Sequence, residues 1–439
     1  MRFPLPLVLL ASLLSAAGAF VACGDDETSA VPGASGQGGV AGTAGGSGAS
    51  GAGATAGSGG EPPFCGTSGI SKGPWVASVD GTTAIVRWET CVEAGTKLTL
   101  SGPGGSGTER SVDGTSSQHE ILTEVTALSE DRGADLAGTW WLHEVRLDQL
   151  SPSTCYGYEA AGETKGSFCT ARNPGENLRF AFIADTNPGL DVDAASHLFS
   201  TIVDFKPELI LHGGDMQYYS SGLEPYAWWF GAMAPLFRSA VLWPAVGNHE
   251  HERATEFADY YERFWGGIGV DNVNHSFHFS SAGVHFFSLN TEEELKADSP
   301  QFAWASQHLT DATKQPGYRF SVVFFHRPLV TCGDTNELEP EFAALHPLFK
   351  SNGVKLVLAG HMHGYERFDL DGIPYLVAGG GVALLGDADA NPQRSHCAQR
   401  KTSGSWPHLV TFDLTGTTLT GTTIDQKGAT RDTFTTTVP

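Results

Sequence analysis

The chain has 439 residues and a formal net charge of −23, from 26 Lys and Arg against 49 Asp and Glu. This excess of acid excludes nucleic acid as the partner, because binding a phosphate backbone needs Lys and Arg to displace counterions. With 40% hydrophobic residues, including 10 Trp and 25 Phe, a chain of this length is expected to form two folded domains.

The first 22 residues predict an export signal. Arg2 is followed by an apolar run from Leu5 to Ala22, which is typical of a signal peptide. The Ala22-Cys23 junction resembles the lipobox of bacterial lipoproteins, although Phe20 departs from that pattern. We therefore expect an exported bacterial lipoprotein, on the cell envelope or in the periplasm, whose only membrane contact is a lipid on Cys23. An ordinary cleaved signal peptide is the alternative.

Residues 23–72 predict a flexible tether. Positions 28–60 contain no charged residue, and positions 31–60 contain 13 Gly among Ala and Ser. Such a segment cannot bury a hydrophobic core. About 40 residues of this composition span on the order of 35 Å, so the folded part is expected to stand away from a membrane surface.

Residues 73–172 predict a small, fibronectin-III-like antiparallel β-sandwich, because short alternating runs are separated by Gly, Asp and Ser turns. These runs include Trp75–Val79, Thr83–Trp88 and Tyr156–Ala160. Residues 177–439 predict an α/β sandwich, because apolar strands alternate with helical patterns before a β tail from His408 onward. The predicted helices are Asp191–Phe205, Glu224–Arg238, Ala254–Phe264, Gln301–Thr313 and Glu339–Lys350.

The cysteines predict disulfides, because an exported chain reaches an oxidising compartment. Two of them bracket an apparent hairpin, and antiparallel pairing of residues 73–79 with 83–90 would bring two others together. Free thiols are the alternative, and sequence alone leaves other pairings open. The expected pairs are Cys65–Cys91, Cys155–Cys169 and Cys332–Cys397.

Five short motifs each follow an apolar run that predicts a buried strand. Because open α/β sheets place their sites at the carboxyl ends of strands, we expect these motifs to meet. Their oxygen and nitrogen side chains suit two hard or borderline metal ions. The motifs are Asp185-Thr-Asn187, Gly214-Asp215-Met-Gln-Tyr218, Gly247-Asn248-His249-Glu250, Val323-Phe-Phe-His326 and Gly360-His361-Met-His363.

In this order the motifs resemble the purple acid phosphatase branch of the calcineurin-like metallophosphoesterases. Tyr218, three residues after Asp215, matches the family pattern GDxxY, and GHMHGYER is similar to GHxHxYER. The resemblance covers roughly residues 70–439. It implies a metallophosphoesterase α/β sandwich preceded by the β-sandwich.

The resemblance also implies a pair of metal ions, Fe(III) with a divalent Fe, Zn or Mn. One metal would be held by Asp185, Tyr218 and His363, the other by Asn248, His326 and His361, with Asp215 bridging both. A bridging carboxylate can hold two cations about 3.5–4 Å apart. His249 is expected to be catalytic, acting on the substrate phosphate or the attacking water.

Structural alternatives exist for single residues. Asp185 and Asp215 could be helix N-caps, Asn248 a turn former, and Tyr218 a packing aromatic like its neighbour Tyr219. Further polar residues are expected to have supporting or surface roles. In this group Glu250 is expected to orient its neighbours, His212 to be structural, and His251, His278, His285 and His396 to be surface or supporting residues.

Two positions depart from the family pattern. Asn187 replaces a glycine of the first motif, and could reach the metal or the phosphate or only bend the turn. Many relatives carry a histidine about ten residues after the one equivalent to His326, but the stretch here is RPLVTCGDTNE. Arg327 could supply charge to the phosphate, and the leaving-group proton donor is unassigned.

The expected function is that of a binuclear metal-dependent acid phosphatase. It would hydrolyse small phosphomonoesters by in-line attack of a metal-bound hydroxide. One alternative is a phosphodiesterase with the same metal site, and another is a metal-binding surface protein without turnover. The physiological substrate and the oligomeric state are left open by the sequence.

Overall fold

The computed structural model describes residues 69–439 except 104–108, 122–137, 161–163, 189, 219–222, 251–260 and 274. Several predicted features lie outside these residues. They are the signal peptide, nearly all of the tether, Tyr219, His251 and most of the predicted helix Ala254–Phe264. No helix in the part of the chain that is described is long and apolar enough to cross a membrane.

The N-terminal region consists of antiparallel strands. They are β1 Ile70–Val79, β2 Ala84–Thr90, β3 Lys97–Ser101, β4 Arg110–Asp113, β5 Thr115–Ile121, β6 Gly138–Leu147, β7 Cys155–Ala160 and β8 Thr164–Cys169. Two four-stranded sheets result, with the orders β1-β2-β6-β5 and β4-β3-β7-β8. Trp75, Trp88 and Trp140 of the first sheet are fully buried. The Trp75 ring packs against Phe230, Phe264 and Trp265 of the region that follows, and Trp88 stacks on His143 within the sheet.

The rest of the chain forms two mixed sheets with helices. Its strands are β9 Leu178–Ile183, β10 Leu209–His212, β11 Val241–Pro244, β12 Val270–Val273, β13 Ser276–Ser281, β14 Val284–Ser288, β15 Phe320–Phe325, β16 Val354–Ala359, β17 Tyr365–Leu370, β18 Ile373–Ala378, β19 Arg400–Gly404, β20 His408–Thr415, β21 Thr418–Asp425 and β22 Thr430–Thr437. The sheet orders are β11-β10-β9-β20-β21-β22 and β12-β13-β14-β15-β16-β18-β17-β19. The predicted α/β sandwich is confirmed.

The helices follow the predicted ones closely. They are α1 Val192–Phe205, α2 Leu223–Phe237, α3 Pro300–Ala312 and α4 Glu339–Ser351, with one further helical turn at Arg263–Trp265. Side-chain caps set two of the starts: Asp191 accepts a hydrogen bond from the Ala194 N–H at 2.9 Å, and Ser299 accepts one from Phe302 N–H at 3.1 Å.

Two predicted disulfides are confirmed. Cys155 and Cys169 are directly opposite each other on β7 and β8. Cys332 and Cys397 join two loops of the α/β domain. Cys91 is disulfide-bonded, while its predicted partner Cys65 lies outside the described residues.

The N-terminal sheet contacts the chain segment that follows the third motif. The Arg87 guanidinium on β2 donates to the carbonyl oxygens of Phe264 and Gly266 at 2.8 and 2.9 Å. The buried Glu89 carboxylate lies 3.1 Å from the Arg263 guanidinium. The two regions are therefore joined by hydrogen bonds and buried charge as well as by apolar packing.

Candidate metal centre

The five motifs begin where buried strands end, as the sequence predicts. β9, β10 and β11 are parallel neighbours, and so are β15 and β16, so their carboxyl ends lie at common edges. Asp185, Asp215 and His361 follow these strands with φ of 59°, 51° and 68°. Non-glycine residues seldom adopt this left-handed backbone, and where they do they often mark functional loops.

Glycines let the motif loops approach one another. A Cβ on Gly247 would lie 2.2 Å from Asp215 Oδ1, and a Cβ on Gly360 would lie 2.4 Å from Asp185 Oδ2. Both distances are shorter than any real contact, so a side chain at either position would displace a predicted metal ligand.

The structure brings Asp185, Tyr218 and His363 together. The Tyr218 hydroxyl lies 3.0 Å from Asp185 Oδ1 and 3.0 Å from His363 Nε2, and His363 Nε2 lies 3.4 Å from the same Asp185 oxygen. The other ring nitrogen of His363 is committed to the Leu384 carbonyl at 2.6 Å. Nε2 is therefore the nitrogen available to a metal.

A second group contains the remaining predicted ligands. His326 Nε2 lies 3.0 Å from Asn248 Oδ1, 3.1 Å from His361 Nδ1 and 3.1 Å from Asp215 Oδ2. The ligand atoms of Asp215, His326 and His361 all lie within 4.8 Å of one another. His326 Nδ1 is bound to the Gly213 carbonyl at 2.9 Å, which again directs Nε2 into the centre.

The donor set fits two cations. Carboxylate and phenol oxygens surround one position, and imidazoles with an amide oxygen surround the other, which are ligands suited to hard and borderline ions respectively. Asp185, Asp215 and His326 are almost completely buried. Burying so many polar atoms close together costs free energy of folding unless a cation compensates their negative charge.

The electrostatics of Asp215 and His326 are linked. Burial alone raises the pKa of the Asp215 carboxyl, but the adjacent His326 imidazole outweighs this and holds that pKa well below its usual range. Burial lowers the pKa of His326, but Asp215 raises it to about 10. Burial, followed by Asp185, raises the pKa of the Tyr218 phenol well above its ordinary value. A bound cation would displace the protons of His326 and Tyr218.

Asp185 and Asp215 are not placed as simple helix caps. The N-cap of α1 is Asp191, whereas the Asp185 carboxylate accepts hydrogen bonds from the His361 N–H. Asp215 Oδ1 accepts from the His249 N–H at 2.9 Å. Each carboxylate therefore links its own loop to another motif.

Glu250 fixes two motif loops at once. Its buried carboxylate accepts from Asp215 N–H at 2.9 Å, Gly247 N–H at 2.7 Å and Met216 N–H at 2.8 Å. Burial, followed by the Asp215 charge, raises the pKa of Glu250 to about 7. The expected orienting role agrees with these contacts.

His249 lies at the edge of the centre. Its Nε2 is 3.8 Å from Asp215 Oδ2, its ring centroid is 4.3 Å from that of Tyr218, and its side chain is 24% exposed. It lines an open cleft of about 320 Å³ together with Asp215, Asn248, His361 and His363. This position is in reach of a molecule entering the cleft.

Other singled-out residues have different surroundings. Arg327 makes a paired contact with Glu292, at 2.8 and 3.0 Å, and its Nη1 lies 3.2 Å from His361 Nε2. The Asn187 carbonyl accepts from Leu190 N–H and closes a turn. Three half-buried histidines are not among the residues that line the cleft: His278 on β13, His285 on β14 and His396 in the turn Ser395–Gln399.

His212 is a buried strand residue whose Nε2 lies 2.9 Å from Thr186 Oγ1. Burial lowers its pKa to about 3, so the ring is neutral. The sequence did not single out Asp334, Thr335, Leu384 and Leu385, which also line the cleft. They belong to no motif, and loops far apart in the chain bring them there.

Residues 178–365 match the family described as calcineurin-like phosphoesterase. Phosphoenolpyruvate phosphatase from Allium cepa is 24% identical over 335 residues, which cover 71% of this chain and 65% of that protein. Purple acid phosphatase 21 from Arabidopsis thaliana is 28% identical over 240 residues, which cover 52% of this chain and 53% of that protein. The match thus spans 53% to 65% of the length of these curated relatives.

Among solved structures, a purple acid phosphatase from yellow lupin (Lupinus luteus) seeds, PPD1, aligns with a TM-score of 0.64 at 17% identity. The alignment covers 83% of this chain and 74% of that chain. Residues 178–365 therefore match the calcineurin-like phosphoesterase family, and the chain shares its fold with this purple acid phosphatase. Its curated relatives include purple acid phosphatases, which confirms the resemblance found in the motifs.

Proposed function

We propose that this protein is a binuclear metal-dependent phosphatase of the acid phosphatase type, acting on small phosphomonoesters. The observation that carries the proposal is that the predicted ligands gather in two groups, beside an open cleft that four of them line. The four are Asp215, Asn248, His361 and His363. The curated relatives described above bear phosphatase names.

We assign Fe(III) to Asp185, Tyr218 and His363, and a divalent Fe, Zn or Mn to Asn248, His326 and His361. When bound, the two cations would neutralise phosphoryl charge and lower the pKa of a water molecule. The support for this assignment is chemical: phenol and carboxylate oxygens favour the harder ion.

The reaction is an in-line hydrolysis. Water adds to phosphorus, the ester P–O bond breaks, and the departing alkoxide takes up a proton as an alcohol. His249, beside Asp215 at the exposed edge of the centre, hydrogen-bonds to the phosphoryl group or to the attacking water. Glu250 keeps Asp215 and the Gly247 loop in fixed positions while this occurs.

The test compares a 4-nitrophenyl phosphomonoester with the matching bis(4-nitrophenyl) diester, together with elemental analysis of the purified protein. Faster turnover of the monoester and two bound metals per chain are expected. Faster turnover of the diester would identify a phosphodiesterase. Bound metal without turnover of either compound would identify a binding protein.

We also propose that the mature protein is an exported lipoprotein anchored through Cys23. The apolar N-terminal run, the Ala22-Cys23 junction and the uncharged linker support this, and the disulfides suit an oxidising compartment. Cys23→Ala should release the protein from membranes on fractionation. Unchanged partitioning of that variant would disprove the lipid anchor.

A further inference from the structure

The cleft has an outer wall that consists of Asp334, Leu384 and Leu385. The two leucines are 62% and 45% exposed. Large apolar side chains that stay exposed beside a site are available to bind an apolar part of a ligand. This outer wall belongs to none of the five motifs.

Hydrogen bonds join the turn that contains the leucines to the predicted metal ligand His363. The carbonyl of Leu384 accepts the His363 Nδ1–H bond at 2.6 Å, and the N–H of Gly386 donates to the His363 carbonyl at 3.0 Å. The apolar surface is therefore held beside the predicted metal centre, in the same cleft as His249.

The Asp334 carboxylate is held against the same turn. Its Oδ2 accepts from the Asp387 N–H at 2.8 Å. A Cβ on Gly386 would lie 2.7 Å from Asp334 Oδ1, so only glycine permits this approach. The negative charge of Asp334 thus lies next to the leucines.

The loop that carries Asp334 is braced on both sides. Cys332 is linked to Cys397 by a disulfide, and Arg394 Nη1 donates to the carbonyls of Thr331 and Thr335 at 3.0 and 2.8 Å. Because these contacts fix the loop, moving the Asp334 carboxylate when a ligand enters would require breaking some of them.

Within the part of the chain that the structure describes, no Lys or Arg lines the cleft. Arg327, which contacts His361 from outside this lining, is paired with Glu292. At the outer wall a leaving group would therefore meet the two leucines and the negative charge of Asp334, while the predicted metals would hold the phosphate.

We propose that the outer wall makes this protein selective for phosphomonoesters whose leaving group is apolar and carries no negative charge. The inference rests on the proposed phosphatase function and narrows its substrate class. Carboxylated or multiply phosphorylated leaving groups are repelled by Asp334, whereas aryl or alkyl groups pack on Leu384 and Leu385.

The charge is tested with a matched pair, phenyl phosphate and 4-carboxyphenyl phosphate, assayed near neutral pH with the metal-loaded full chain. The wild type should favour phenyl phosphate by roughly fivefold in kcat/KM, from like-charge repulsion across a solvated cleft. Asp334→Asn should bring the ratio close to one. Asp113→Asn, which changes a carboxylate 83% exposed on β4, should leave it unchanged.

The apolar surface is tested by the double change Leu384→Gln and Leu385→Gln. It should reduce the preference for phenyl over methyl phosphate by roughly tenfold relative to wild type, as expected for lost apolar contact. Val92→Thr, at an exposed apolar residue after β2, is the control.

The outcomes separate this inference from the function on which it rests. Turnover of phenyl phosphate with equal kcat/KM for the carboxylated analogue, or an unchanged ratio in Asp334→Asn, would overturn the selectivity and leave the phosphatase intact. A metal-loaded wild type that hydrolyses no phosphomonoester would overturn both the selectivity and the proposed phosphatase function.

Discussion

Replacing Glu250 with Gln should disturb the metal centre without removing any predicted ligand. The wild-type carboxylate accepts three backbone N–H bonds, from Asp215, Met216 and Gly247. A Gln side chain has one acceptor oxygen, which can keep the two bonds made by Oε2. Its amide group then faces the Met216 N–H, so two donors oppose each other.

The magnitude follows from these bonds. A hydrogen bond to a charged group contributes about 1.5–3 kcal/mol, and a buried donor left unpaired costs a similar amount. Part of this loss is offset because the variant no longer buries a group whose pKa is raised to about 7. We expect the free energy of unfolding to fall by about 2 kcal/mol, with a fall in melting temperature of roughly 4 °C.

The functional effect should exceed the effect on stability. A shift of Asp215 misplaces the carboxylate that is expected to bridge the two metals, and a displacement of this kind can cost about 10²-fold in rate. The assay combines thermal unfolding, metal content and turnover of phenyl phosphate. Asp425→Asn is the control, because the buried Asp425 also accepts three hydrogen bonds, from Lys427 N–H, Ala429 N–H and Arg431 Nε, in the hairpin of β21 and β22.

The control should lose stability to a similar extent and keep its bound metal and turnover. If Glu250→Gln retained wild-type metal content and kcat, the three hydrogen bonds would not be what positions Asp215, and the argument would fail.

Three further predictions concern the centre itself. Tyr218→Phe should abolish the visible absorption expected of a phenolate bound to Fe(III). The control Tyr375→Phe, which loses a hydroxyl contact to His346, should keep that absorption. An active, colourless, iron-free wild type would refute the iron assignment. His249→Ala should retain both metals while kcat falls by about 10²–10⁴-fold, and loss of metal in that variant would show that the residue is a ligand. In metal-free protein the raised pKa of His326, about 10, stabilises the fold below the unfolded pKa of about 6.5, and this stabilisation is lost as pH rises through 10. A metal must displace the His326 proton, so zinc titrations should show affinity rising about tenfold per pH unit between about pH 7 and 9. An affinity that does not change with pH would refute the protonation of His326 in the metal-free protein.

The sequence was informative wherever local pattern and physical constraint coincide. The motif strands are almost entirely buried, mostly apolar runs such as Phe320–Phe325, so their type and ends could be predicted from composition. The meeting of five strand ends follows from sheet architecture. Helix starts such as that of α3 carry a Ser299 cap and a following Pro300, which are recognisable in the sequence.

The sequence was less informative about contacts between distant loops. Arg327 was a candidate to hold phosphate, but its partner Glu292 is 35 residues away and follows a different strand. Nothing local to either residue indicates that pairing. Exposed leucines such as Leu385 likewise carry no periodic signal, because their significance depends on the cleft beside them.

The N-terminal sheet illustrates how such distant contacts bear on the centre. Arg87 donates to the carbonyls of Phe264 and Gly266, and Tyr261, in the same returning segment, donates from its hydroxyl to the Pro244 carbonyl at the end of β11. Three residues separate Pro244 from Asn248, the start of the third-motif turn. The β-sandwich therefore binds a segment whose Tyr261 is itself hydrogen-bonded to the end of β11, a strand that leads into the third motif. Every predicted ligand, however, comes from the residues that follow the β-sandwich.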